Sequence, residues 1–132
     1  MLTRKLEKLF CSRLGEMGAE LAAAVGELRS ESANGGAVDQ IYQVAHSLHG
    51  AGTMYGFPSV SDVGASLEDI ARAVRSGDLS LARDLLDLIQ RCADTLQEAS
   101  GPACVTRELQ NKLRELAWAC QCTLHDTAAN GA

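Results

Sequence analysis

Aromatic side chains are scarce in this chain: two Phe, two Tyr and one Trp among 132 residues. Prolines number only two. Alternating runs of β-branched residues are absent, which removes the sequence signature of strands. No apolar run is long enough to cross a bilayer, so no membrane partner is expected. The start, Met1-Leu2-Thr3-Arg4-Lys5, lacks the apolar run of a signal peptide. Excess positive charge is missing too. A net charge of −5 offers no general attraction to phosphate backbones, so nucleic acid is not an expected partner. Five cysteines, an odd number, argue against a closed disulfide set and fit a reducing, cytoplasmic setting. There is no carboxylate cluster and no phosphate-cradling Gly-rich loop, hence no ATP site of its own. Neither an internal repeat nor an interdomain linker is visible.

What remains is 46% hydrophobic and drawn mostly from Leu, Ala and Val. Ala and Leu are strong helix formers. The length suits one domain, residues 1–132, burying roughly two-thirds of its unfolded surface. Apolar residues at three- and four-residue steps predict helices over 3–29, 37–55, 59–75 and 79–98, then an accessory helix over 105–125. Leu6, Leu9, Phe10, Leu14, Met17, Leu21, Val25 and Leu28 form the first stripe. Thr3 is its candidate N-cap, and Gly15 to Gly18 a candidate bend. The segment 30–36 and Ser100-Gly101-Pro102 read as breaks, as do Gly56-Phe57-Pro58 and Ser76-Gly77-Asp78. Short connections between long helices imply antiparallel neighbours. The expected fold is therefore all-α: an up-down-up-down four-helix bundle with an additional C-terminal helix. That last helix, heptad-like in spacing, would pack on the outside of the bundle or on another chain. The tail from Asp126 is expected to fray.

The stretch from Val44 to Phe57 is the most informative. It holds two of the three histidines and four consecutive small residues, Gly50, Ala51, Gly52 and Thr53. At about 100° per residue, Ile41, Val44, Ala45, Leu48, Gly52 and Tyr55 share a core-facing side. Asp39, Gln43, His46, His49, Gly50 and Thr53 share the opposite one. His46 is thus expected near solvent, with the bare backbone of Gly50 one turn along. A nucleophile that must meet a bulky macromolecule needs that clearance. Imidazole is a good nitrogen nucleophile near neutral pH without prior loss of a proton.

His46-Ser47-Leu48-His49-Gly50, with Gly56 ten residues after His46, resembles the phosphorylation helix of histidine-containing phosphotransfer (HPt) domains. That family usually has Lys where His49 stands. The run from Ala45 to Phe57 also looks like the HPt-type phosphoacceptor domain of chemotaxis histidine kinases. The specific part covers residues 38–75. The resemblance implies that His46 is phosphorylated and that Glu68, 22 positions later, orients it. In chemotaxis kinases a second histidine usually joins from the third helix. Gly64 and Ala65 occupy that neighbourhood here. The resemblance also implies response-regulator receiver domains, a sensor histidine kinase, or both, as partners. Magnesium would come from the receiver, and the chain would need no cofactor of its own.

The expected function is that of a phosphocarrier, not an enzyme with its own phosphate donor. His46 would exchange a phosphoryl group with a receiver aspartate. The alternatives are the phosphoacceptor domain of a chemotaxis-type kinase and, in another class, a non-catalytic helical adaptor. His49 reads equally as a phosphate contact when protonated or as a neutral surface residue. Glu68 alternatively pairs with Arg72 at i+4. Val38, Tyr42, Gln43, Ala51, Met54 and Phe57 are candidates for a docking rim, with core packing the alternative for Phe57. Cys120, Cys122, His125 and Cys104 do not match a common zinc spacing, so no metal site is expected. A monomer is expected.

Overall fold

The structure is a computed structural model that describes residues 2–30, 35–99 and 106–130. Among them the chain is all-helical, with α1 (Leu2–Arg29), α2 (Gly35–Tyr55), α3 (Pro58–Arg75), α4 (Arg83–Glu98) and α5 (Arg107–Asn130). No described helix is long and apolar enough to cross a membrane. Of the expected break over 30–36, residues 31–34 lie outside the described residues, and Gly35 and Gly36 already belong to α2. Ser100-Gly101-Pro102, Cys104 and Val105 also lie outside the described residues. Thr3 lies inside α1, not at its cap, and α1 is helical through Gly15 and Gly18. The tail stays helical to Asn130.

Two glycines end helices in the same way. After α2, Gly56 has φ +79°, Phe57 N–H donates to Gly52 at 2.8 Å, and Gly56 N–H reaches Thr53. After α3, Gly77 has φ +82°, Asp78 N–H donates to Ala73 at 2.9 Å, and Gly77 N–H reaches Val74. These are paired six-to-one and five-to-two closures, which a residue without Cβ makes at low cost. Pro58 then opens α3, where its missing N–H is not needed. The reversal folds α3 back along α2.

The fourth helix starts at Arg83, later than the expected 79. Asp78 does not cap it, because its carboxylate accepts from Ser76 Oγ within the turn. Leu79 instead leaves the turn into the core, and Ala82 is extended. Thr106 Oγ1 accepts from Leu109 N–H and caps α5.

The core is built from all five helices. Leu14, Leu21, Leu48, Val60, Val63, Leu67, Leu96 and Leu113 are fully buried. Leu6 and Leu9, expected in the first stripe, are exposed, because the buried face of α1 begins only at Phe10. The most extensive helix contacts run α1–α2, α2–α3, α3–α5 and α4–α1, with α5 also against α4. The additional C-terminal helix therefore lies on its own bundle, spanning α3 and α4. Its seam of Leu109, Leu113, Leu116 and Cys120 is buried there, with Leu124 half-buried. Cys92 of α4 hydrogen-bonds Cys120 of α5. That bond and burial hold the Cys92 thiol well above the usual thiol range. Cys11 is buried and disulfide-bonded, which does not fit the reducing setting expected from the cysteine count, while Cys92, Cys120 and Cys122 are free thiols.

Glycine also sets how closely the helices approach. A Cβ on Gly18 of α1 would come within 2.7 Å of the Ala93 carbonyl oxygen of α4. A Cβ on Gly52 of α2 would strike the backbone of Ser61. One on Gly64 of α3 would strike the backbone nitrogen of His49 and lie 2.8 Å from the Ala45 oxygen. The α2–α3 seam is thus drawn together by one glycine from each side. The candidate residues His46, His49 and Glu68 stand along this seam.

Candidate functional site

α2 presents its faces as the helical period demands. Ile41, Val44, Ala45, Leu48 and Gly52 are buried, while Asp39, Gln43, His46, His49, Gly50 and Thr53 are exposed. Tyr55 departs from its expected core position: it is part-exposed at the helix end, with its ring stacked on Phe10 at 4.9 Å. The His46 side chain is 71% exposed. A Cβ on Gly50 would meet nothing within 4 Å, so Gly50 packs against no neighbouring helix.

Glu68, on α3, is the one buried charged residue among those described, with only 6% of its side chain exposed. A buried carboxylate costs free energy unless it is paired. Its oxygens divide the task. Oε2 accepts from Arg72 at 3.4 Å. Oε1 lies 3.1 Å from Nδ1 of His49 and 3.5 Å from Nδ1 of His46. Glu68 thus faces the histidines through one oxygen and Arg72 through the other. A carboxylate only accepts, so the facing Nδ1 of His49 is the donor and carries the proton. The same tautomer at His46 leaves its Nε2 with a free lone pair.

The second imidazole on this carboxylate was not foreseen in that role. It comes from α2 itself, not from α3. Gly64, at the vacant α3 position, is what lets the His49 backbone sit against α3. Thr53 Oγ1 and Ser61 Oγ each donate to the His49 carbonyl oxygen, at 3.0 and 3.1 Å. Only a shared seam brings Ser61, Gly64 and Thr53 together. Nothing in their spacing along the chain announces it.

The candidate docking rim divides. Gln43 and Met54 are exposed, and Ala51 is half-buried. Tyr42 is half-buried and stacks loosely on the His46 ring, 6.2 Å between centroids at 15°. Arg72 and Arg75 both lie over the Tyr42 ring, and Arg75 pairs with Asp39. Val38 does not belong to the rim: it is buried in the core, because its turn of α2 faces inward. Phe57 is half-buried, its ring parallel to Phe10 at 5.1 Å, so it is occupied in packing. Among the described residues no group of three His, Cys, Asp or Glu side chains is arranged to hold a metal ion.

The Hpt domain family model matches residues 3–99, which span α1 to α4. Among curated proteins the chain is similar to Chemotaxis protein CheA of Halobacterium salinarum, 33% identical over 81 residues. That alignment covers 56% of this chain and 12% of the relative. CheA of Listeria monocytogenes is 27% identical over 96 residues, covering 73% of this chain and 16% of the relative. CheA of Borreliella burgdorferi is 30% identical over 71 residues, 54% of this chain and 8% of the relative. The chain thus spans well under a fifth of the length of these relatives. No solved structure matches it significantly. With the family match running across the four bundle helices and the exposed histidine set against a buried carboxylate, this chain belongs to the Hpt domain family.

Proposed function

We propose that the chain is a phosphocarrier that accepts a phosphoryl group on Nε2 of His46 and passes it to or from a receiver-domain aspartate. The observation that carries this reading is the exposed His46 ring with Nδ1 facing the buried Glu68 carboxylate at 3.5 Å. In the step, Nε2 attacks the acyl phosphate of the partner. The N–P bond forms as the P–O bond breaks, and the aspartate leaves as a carboxylate. Nδ1 keeps its proton and the ring becomes cationic, so Glu68 stabilises the product more than the resting ring. Such transfer is governed by positioning and by charge neutralisation at the phosphoryl oxygens. The receiver's magnesium would supply that neutralisation.

Gly50 gives the partner access beside the ring. Tyr42, Gln43, Ala51 and Met54 form the docking rim in this reading. Response-regulator receivers and a sensor histidine kinase are the partners it implies.

The test is to mix the purified chain with a phosphorylated receiver. Acid-labile phosphate should appear on the chain. His46→Gln should abolish it while helicity by circular dichroism is unchanged. Phosphate that persists in this variant overturns the assignment.

A second reading is favoured by the names of the relatives: the chain is the phosphoacceptor domain of a chemotaxis-type kinase. An isolated kinase catalytic domain with ATP would then label His46 faster than any receiver does.

A further inference from the structure

Position 49 is the most constrained point on the exposed face of α2. Its backbone nitrogen lies against Gly64, where any Cβ would intrude. Its carbonyl oxygen takes the hydroxyls of Thr53 and Ser61, which are themselves 2.9 Å apart. Its Nδ1 makes the shortest contact to Glu68, at 3.1 Å. A solvated surface histidine requires none of this. His46 is held more loosely, by the longer 3.5 Å approach to the same oxygen and by its stack on Tyr42.

Resting on the phosphoacceptor reading of His46, we propose that His49 is the positioning residue of this site. Its Nδ1–H holds Glu68 Oε1 at the rim of the α2–α3 seam, where His46 can use it. The carboxylate sits on a side chain with rotatable bonds and is also drawn by Arg72, through Oε2. Removing the His49 donor leaves Arg72 as the stronger attraction and turns Oε1 from His46. Oε1 lies 3.1 Å from Nδ1 of His49 and 3.5 Å from Nδ1 of His46, and its two lone pairs leave room for two donors, so His49 need not leave when His46 becomes cationic. The new charge then takes the shorter bond, because a charged donor outbids a neutral one. An imidazole donates Nδ1–H without carrying charge. The usual Lys could not, and would keep the carboxylate engaged in a permanent ion pair.

The test compares three variants with the parent chain in transfer from a phosphorylated receiver, each checked for helicity. His49→Leu fills similar volume without a donor. His49→Asn sets an amide N–H near the place of Nδ1. His49→Lys supplies a cation. His49→Leu should slow transfer to His46 about tenfold, the loss of one hydrogen bond to a charged group. His49→Asn should recover most of the rate. Nitrogen-15 shifts of His46 should show the Nδ1–H tautomer in the parent and in His49→Asn, and a mixture in His49→Leu. Rescue by Lys but not Asn would mean a direct phosphate contact and overturn the proposal. Equal rates and unchanged His46 shifts in all three would also overturn it. A parent chain that takes no phosphate at all defeats the underlying reading instead. The tautomer measurement needs no receiver and still reports whether His49 governs Glu68.

Discussion

Gly64 of α3 lies directly against the backbone nitrogen of His49 of α2, with no room for a Cβ between them. One turn further along α3, Glu68 meets the imidazole of the same residue. A missing side chain thus sets the distance between two helices, and that distance sets the hydrogen bond. Gly64→Ala should destabilise the fold by about 1–3 kcal/mol, as overpacking does. It should also lengthen the His49–Glu68 contact. Urea denaturation measures the first effect, and the His49 nitrogen shifts measure the second.

Gly50→Ala should act in the opposite sense on stability. Its Cβ would meet nothing, and the position is an exposed helix interior. Alanine there should stabilise by about 0.5–1 kcal/mol. If Gly50 provides clearance, transfer from a receiver should slow even as the chain becomes more stable. A stabilised variant with an undiminished transfer rate would remove the clearance role.

Glu68→Gln keeps an oxygen for the imidazoles but loses the charge. Phosphoryl transfer to His46 should fall about tenfold or more, because the cationic ring loses a charged acceptor. Rapid-quench measurement with a phosphorylated receiver reads this. Arg72→Ala should cost far less, since that side chain is largely exposed and its pair is correspondingly weak.

Leu113→Ala tests whether α5 belongs to the core. Leu113 is fully buried between α5 and the bundle, so truncation should cost about 2–5 kcal/mol. The matching change at Leu67 of α3, also fully buried, is the internal standard. A cost below about 1 kcal/mol at Leu113 would mean that α5 is only loosely attached.

Thiol reactivity should separate the cysteines of α4 and α5. Cys122 is half-buried, whereas Cys92 and Cys120 are buried and hydrogen-bonded to each other. The raised Cys92 value means that less thiolate is present at any pH below it, and thiolate is the reactive form. At pH 8 a maleimide should modify Cys122 in the native chain and reach Cys92 only on unfolding. Peptide mapping distinguishes the sites. Early labelling of Cys92 would show that α5 lifts from α4.

The helical period of Val44 to Phe57 was sufficient to put His46 and Gly50 outward and Leu48 inward, because local geometry alone decides which residues share a helix face. The Gly56 stop was legible for a related reason, since a helix closing through positive φ selects glycine. Val38, Leu6 and Leu9 were misplaced because periodicity assigns a side of a helix but not where neighbouring helices begin and end. The fourth helix begins four residues later than the apolar pattern predicts, since Leu79 continues that pattern from a bend closed onto Ala73 and the chain is extended at Ala82 before α4 starts.

From its own residues the sequence determined an all-helical bundle and, by helical period, an outward-facing histidine. The resemblance pointed to Glu68 behind that histidine, and only the tertiary structure decided that His49 shares the carboxylate. His49, Ser61, Gly64 and Glu68 come from two helices whose register is set by glycine contacts, and a spacing pattern carries no record of that register. The carboxylate is therefore shared by two imidazoles and an arginine because the helices approach closely enough to bury it, and burial is what makes its partners obligatory.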